Sequence, residues 1–152
     1  MIGLDTNIVI RYLVQDDPEQ SKIANRIFEK ELSPKNKGSI CVIVLCEIVW
    51  VLVRCYKQKK EKIVEVIKTL LLADTIEIDS RDAVWKALRA FECGEADFSD
   101  YLIAHLHHEL GAAFTLTFDH HAATGPFFKL AKWGPAPSLS CQTLDPGGIL
   151  VL

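Results

Sequence analysis

The sequence predicts an α/β domain, in which helices cover both faces of a mainly parallel sheet. Short apolar runs alternate along the chain with longer segments of helical periodicity, the order that a parallel sheet requires. The runs are apolar throughout, as strands buried on both faces are. With 152 residues, of which 49% are hydrophobic, the chain suits one sizeable core and is too short for two. We therefore predict a three-layer α/β/α architecture with four to five strands.

The amino-terminal part of the chain predicts two helices between two strands. Residues 2–4 form a short apolar run that stops at Asp5, after which apolar residues recur at helical spacing. A second helix begins at Pro18, since proline is tolerated in the first turn, and it ends before Ser33-Pro34. A polar loop then leads to a buried strand at residues 39–43.

The remaining chain continues the alternation of helices and strands. Further helices are predicted at residues 44–56, 60–72, 80–91 with Ser80 as N-cap, and 97–110 with Gly111 as its end. Further strands are predicted at residues 76–78 and 114–118. Beyond Phe127, proline and glycine without helical periodicity predict at most one edge strand and then an irregular tail. Residues 1–130 are thus assigned to the folded domain, and residues 131–152 to that edge strand or tail.

Composition and charge narrow the classes of function. The longest apolar run, residues 40–53, is shorter than the roughly 20 residues that cross a bilayer, and no signal peptide is predicted. Five cysteines, an odd number without a CxxC pair, favour reduced thiols in a cytoplasm. A formal net charge of −3 argues against binding along a long nucleic acid. We therefore expect a cytoplasmic protein without a membrane span, and any nucleic acid to be held over few nucleotides.

A run of lysines lies where two predicted helices meet. Its members are Lys57, Lys59, Lys60 and Lys62. An enzyme that engages a few nucleotides needs only a local basic rim of this kind. A solvated helix junction is the alternative interpretation of the same residues.

Asp5 and Asp119 each follow a predicted strand directly. In open α/β sheets the ligand crevice lies beyond the carboxyl ends of the strands, so both acids are expected at one edge. A helix N-cap is the alternative role for Asp5 by itself. The coincidence with Asp119 favours a shared site.

Glu47 is the only charged side chain in the apolar run of residues 40–53. An unpaired carboxylate buried there would cost several kcal/mol by desolvation, at the order of magnitude known for such groups. We therefore expect Glu47 to have either a cation or a partner from elsewhere in the chain.

Asp97 and Asp100 lie three residues apart at the start of a predicted helix. This spacing puts both carboxylates on one face, near the positive end of the helix dipole. Asp97 is also a natural N-cap. Asp100 begins an apolar helix that we expect to be buried, so its carboxylate calls for a cation or a water network.

Convergent carboxylates indicate a site for a hard divalent cation such as Mg²⁺ or Mn²⁺, which takes oxygen ligands. Such metals polarise a phosphodiester, activate bound water and stabilise the leaving oxygen. No separate histidine base is then needed, and the histidines stand outside any HExxH frame. The chain also lacks the glycine motifs GxGxxG, Walker A and GxSxG, which argues against nucleotide-binding and serine-hydrolase functions.

Four segments, LDTN near the start, CEIVWVL, ADFSDYLIA and TLTFD, follow one another along the chain. In this order and at these spacings they resemble the PIN domain family, and more closely the VapC-like toxin ribonucleases. The resemblance covers roughly residues 1–130. The segment from His120 to Leu152 is longer than the usual ending of that family.

The resemblance implies a metal site formed by Asp5, Glu47, Asp100 and Asp119, with Asp97 as an accessory acid beside it. It implies orienting polar roles for Thr6, Asn7 and Thr117. It further implies Mg²⁺- or Mn²⁺-dependent endonucleolytic cleavage of RNA by the toxin of a type II toxin–antitoxin pair. A homodimer and a small antitoxin, which lays a helix and tail over the active-site groove, are the implied protein partners.

Two other functions are weighed against this one. A PIN-like scaffold would bind RNA or protein with little catalysis. An acidic phosphohydrolase would use Asp5 as nucleophile, but the second acid expected two residues later is replaced by Asn7. The toxin-type endoribonuclease is therefore the leading hypothesis.

Overall fold

The protein is described by a computed structural model, which defines residues 1–132. The strands are β1 (Ile2–Gly3), β2 (Gly38–Ile40), β3 (Ile76–Ile78), β4 (Thr115–Thr117) and β5 (Phe128–Leu130). The helices are α1 (Thr6–Val14), α2 (Pro18–Arg26), α3 (Val42–Arg54), α4 (Lys60–Leu72), α5 (Arg81–Cys93) and α6 (Phe98–Glu109). A π-helical turn, Ile27–Glu31, extends α2, and a 3₁₀ turn, Ala122–Thr124, lies between β4 and β5.

All strand pairings between these elements are parallel, as the sequence predicts. The strand order β1-β2-β3 forms one sheet, in which Gly3 lies opposite Ser39 and Ile40 lies opposite Ile78. Strands β4 and β5 pair with each other in a second sheet. The α/β class is therefore confirmed.

The expected single sheet of four to five strands is wrong in one respect, because the five strands are divided into three and two. A central parallel strand would be buried on both faces. In β4, however, Leu116 is 64% exposed. Strand β1 has only two residues, so it can form few hydrogen bonds with a further strand. The result is a small sheet, with the β4–β5 pair beside it.

One continuous apolar core joins the three-stranded sheet to the helices. Its fully buried members include Ile40 and Ile78 from the sheet and Leu45, Ile63 and Leu88 from α3, α4 and α5. Because each helix has apolar side chains at helical spacing, one face of each meets this core. The core also includes Val9 of α1, so it holds the helices that carry two of the predicted acids, Asp5 at the N-cap of α1 and Glu47 in α3.

Most element boundaries agree with the sequence, and α4 and β3 agree residue for residue. Helix α3 starts at Val42, two residues earlier than predicted, because strand β2 ends at Ile40 and Cys41 takes the extended N-cap conformation. Strand β5 ends at Leu130, just before residues 131–152, so the edge strand or tail assigned to those residues stays a prediction. The predicted tail lies outside the described residues from position 133 onward. No helix within residues 1–132 has the length and apolar character needed to cross a membrane.

Candidate functional site

Asp5 stands between β1 and α1, at the N-cap position of the helix. Its backbone is extended (φ −80°, ψ 158°), and its carbonyl oxygen accepts hydrogen bonds from the backbone N–H groups of Ile8 and Val9. Its side chain is exposed and makes no capping hydrogen bond. The N-cap alternative therefore does not account for the carboxylate.

Glu47 lies on the solvent-facing side of α3, so the expectation that it is buried is wrong. Its neighbours on this face, Ile43 and Trp50, expose 76% and 58% of their surface. The sequence of α3 does not reveal which face is exposed to solvent, since apolar residues occupy the outer face as well as the inner one. The expected partner from elsewhere in the chain does exist: the buried Thr6 donates from Oγ1 to Glu47 Oε2 at 2.5 Å.

Asp97 and Asp100 form a capping box at the start of α6. The Asp97 backbone N–H donates to Asp100 Oδ2 at 3.2 Å, and the Asp97 side chain contacts the backbone of Asp100 in return. This pair satisfies backbone donors that the first turn of a helix leaves free. Asp97 thus has the cap role that its position predicts, and Asp100 shares it.

The carboxyl group of Asp100 lies in an unfavourable electrostatic setting. Burial raises its pKa above the usual range, and the carboxylates of Asp97 and Asp119 raise it further. A hydrogen bond from the Asp97 backbone acts in the opposite direction. The ionised form of Asp100 is therefore held beside like charges, which a nearby cation would relieve.

Asp119 follows β4, and its carboxylate accepts backbone hydrogen bonds at the entry to the 3₁₀ turn. Its Oδ1 atom accepts from the backbone N–H groups of His121 (2.7 Å) and Ala122 (3.3 Å). Its own backbone N–H donates to Thr117 Oγ1 at 3.0 Å. The Thr117 hydroxyl thus contacts the backbone of Asp119 and helps to fix the conformation after β4.

Tyr101, which the sequence did not single out, joins the two loops that carry these acids. It is 2% exposed, and its hydroxyl oxygen accepts from the backbone N–H of Ala96 at 3.4 Å. A Cβ atom added to Gly94 would lie 1.7 Å from that hydroxyl, and one added to Gly125 would lie 2.9 Å from the ring. Both loops therefore close directly on Tyr101. In the sequence, the glycine beside each acidic segment was the signal that could have indicated this close packing.

The predicted acids form two groups within the described residues. The first acid group is Asp5 and Glu47, and Thr6, which follows Asp5, contacts Glu47. The second acid group is Asp97, Asp100 and Asp119. Within residues 1–132, no three acidic, histidine or cysteine side chains are arranged to hold a metal ion. The donor chemistry nevertheless fits a hard divalent cation, because all the donors are carboxylate oxygens.

A comparison of the sequence with models of protein families identifies the family of the chain. Residues 2–126 match the PIN domain. The chain belongs to the PIN domain family. PIN domains have a three-layer α/β/α fold, which confirms the predicted fold class, and they are generally metal-dependent nucleases. Membership therefore supports a nuclease function for this chain. A comparison with curated proteins finds no match.

Asn7 is the predicted polar residue of this PIN domain for which the described residues show no hydrogen bond to an acid. It lines a shallow surface pocket between α1 and α2, together with Arg11, Gln20 and Ile23. The structure gives it no contact with the carboxylates of either acid group. An orienting role for Asn7 stays a prediction.

Two of the four lysines in the lysine run of this PIN domain make contacts at the junction of α3 and α4. Lys60 donates to the backbone oxygen of Gly94 at 2.6 Å, and its ammonium lies 4.7 Å from the centre of the Phe91 ring. Lys62 pairs with Glu65 at 3.0 Å. These contacts favour the helix-junction interpretation over a basic rim for nucleic acid.

Proposed function

We propose that this PIN domain is a metal-dependent endoribonuclease that hydrolyses RNA phosphodiester bonds. Its acidic residues would be Asp5, Glu47, Asp100 and Asp119, with Asp97 as the accessory acid. The observation that carries the proposal is the second acid group, in which burial and two neighbouring carboxylates raise the pKa of Asp100. No lysine or arginine within residues 1–132 forms an ion pair with these acids. Such an uncompensated group is a common mark of a functional site.

The proposed cofactor is Mg²⁺ or Mn²⁺, since both prefer carboxylate oxygens and bound water. When bound, such an ion supplies charge stabilisation for the phosphate and lowers the pKa of a water nucleophile. The chain itself would orient the carboxylates. Thr6 fixes Glu47 through its hydroxyl, and the capping box fixes Asp100 at the first turn of α6.

The finer proposal is the toxin of a type II toxin–antitoxin pair, acting in the cytoplasm as a homodimer with a small antitoxin as partner. Exposed apolar side chains near β4 support protein partners, since Leu110, Leu116 and Phe118 expose 85%, 64% and 85% of their surface. The four cysteines in the described part of the chain are free thiols, which supports a reducing compartment.

The proposal is tested by incubating the purified protein with structured RNAs and Mn²⁺. Wild type should cleave, while Asp5→Asn and Asp100→Asn should each lose about a hundredfold or more. Even groups that only orient a metal ligand typically contribute about 10–100-fold. The matched control is Asp74→Asn, because exposed Asp74 precedes β3 at the opposite edge of the sheet. Equal cleavage by all four proteins would contradict the assignment and point to a contaminating nuclease.

A binding scaffold with little catalysis is the second candidate. It is favoured by the absence, within residues 1–132, of three grouped side chains that could hold a metal. This scaffold predicts no metal-dependent cleavage. It also predicts that RNA or partner binding is unchanged when Asp5 and Asp100 are neutralised.

A further inference from the structure

An open groove adjoins the second acid group, between α3 and the corner that joins α5 to α6. It encloses about 110 Å³. Its floor is apolar and includes Val49, Phe91 and Phe98, and its rim carries Trp50, Arg54 and Asp97. We name this feature the α3 groove. It combines an apolar floor with one cation and one acid at the rim.

Trp50 is unusually exposed for a tryptophan, and Arg54 has no ion-pair partner within residues 1–132. Trp50 exposes 58% of its surface, although burying so large an aromatic side chain would be favourable. Arg54 is exposed, and no carboxylate within residues 1–132 forms an ion pair with it. The two residues are four apart on α3, which places a flat aromatic surface beside a planar cation. Their natural ligand would have a flat apolar face and a negative charge.

The α3 groove lies next to the candidate site. Trp50 follows Glu47 by three residues on α3, which is a rise of about 5 Å along the helix. Asp97 lines the groove and precedes Asp100 in the capping box. A chain held at the acids would therefore extend directly into the groove.

We propose that the α3 groove binds one unstacked nucleotide of single-stranded RNA, next to the bond that is cleaved. The base would stack on Trp50, and its phosphate would be contacted by Arg54. This inference rests on the proposed function. Stacking on aromatic side chains is how proteins hold single-stranded nucleic acid without reading a sequence, and arginine adds a phosphate contact. The groove thereby supplies a local basic contact next to the second acid group.

A protein side chain is the competing occupant of an apolar groove. Arg54 favours RNA, because this exposed cation lines the groove with the aromatic ring and has no ion-pair partner within residues 1–132. An RNA strand carries a phosphate beside every base, so Trp50 and Arg54 gain a partner at once. A protein partner is retained as an outcome of the experiment.

The structure offers a matched control pair on α5. Trp85 and Arg89 have the same four-residue spacing and line a separate surface pocket with Asp82 and Lys86. Trp85 packs partly against the core, so its loss tests the general effect of removing a tryptophan. The variants are Trp50→Ala, Trp50→Phe and Arg54→Gln, with Trp85→Ala and Arg89→Gln as controls.

The experiment measures kcat and KM on a short single-stranded RNA with Mn²⁺, at several salt concentrations. Trp50→Ala should raise KM about tenfold or more with little change in kcat, and Trp50→Phe should restore most of the loss. Arg54→Gln should reduce the slope of log KM against log salt by about 0.7, the value for one phosphate on a single strand. The control variants should leave KM and the slope unchanged.

Binding is measured separately on the Asp100→Asn background, by anisotropy of the same labelled RNA. If wild type does not cleave but Trp50→Ala still weakens this binding, the proposed function fails and the groove assignment stands. If wild type cleaves and Trp50→Ala behaves like Trp85→Ala, the groove assignment is overturned. A change in molecular mass in solution, with KM for RNA unaltered, would also overturn it and assign the groove to a protein interface.

Discussion

The two acid groups are built in different ways. In the first, Asp5 makes no capping hydrogen bond, and Glu47 is held by one contact with Thr6 from a distant part of the chain. In the second, the carboxylates of Asp100 and Asp119 accept backbone hydrogen bonds within their own loops. In the first group, Glu47 is therefore oriented through the buried Thr6. In the second, the same oxygen atoms serve local folding and the proposed chemistry.

The largest expected effect separates these two kinds of acid. Asp119→Ala and Asp5→Ala should each reduce the cleavage activity about a hundredfold or more. Only Asp119→Ala should also lower the free energy of unfolding, by about 1 kcal/mol, because it removes the acceptor of two backbone hydrogen bonds. Asp119→Asn keeps an acceptor and should retain the stability while losing the activity. Urea unfolding of the metal-free variants measures the difference, and an equal loss of stability at Asp5 would contradict the comparison.

A smaller effect is expected from the single contact that orients the first acid group. Thr6→Val keeps the shape of a buried side chain but removes the donor to Glu47. Cleavage should fall about tenfold, as it does for groups that orient a ligand. Thr6→Ser keeps the hydroxyl and serves as the control. Steady-state cleavage rates decide the matter, and equal rates for the valine and serine variants would show that the contact is unimportant.

The smallest effect concerns stability and pH. The raised pKa of Asp100 means that the folded protein binds this proton more tightly than the unfolded chain does. Ionisation of Asp100 therefore opposes folding. The penalty is absent below the unfolded pKa of about 3.9, and it is complete once the pH exceeds the raised value. Asp100→Asn should thus raise the Tm of the metal-free protein by a few degrees near neutral pH.

This last comparison is made by thermal melting in EDTA between pH 3 and pH 7. The Tm difference between wild type and Asp100→Asn should vanish at the acid end, where both side chains are neutral. Asp74→Asn should show no such trend. A Tm for Asp100→Asn that stays below wild type at neutral pH would mean that the ionised carboxylate stabilises the fold.

Local periodicity and capping rules account for most of what the sequence predicted correctly. Helix α4 and strand β3 have clear apolar patterns, and Asp97 follows the rule for an N-cap. The division into two sheets was missed, because strand pairing depends on contacts between distant segments. The exposure of Glu47 was missed as well. Its helix is apolar on nearly all sides, so the periodicity did not show which face meets the core.

The close packing around Tyr101 has a consequence for how the chain tolerates substitution. Gly94 and Gly125 bear no group that could take part in catalysis, yet each loop touches the buried ring where a side chain would begin. Tolerance to mutation at this corner is thus set by space alone. A variant at either glycine would shift the loop that carries an acid, and its loss of function would imitate the loss of the acid itself.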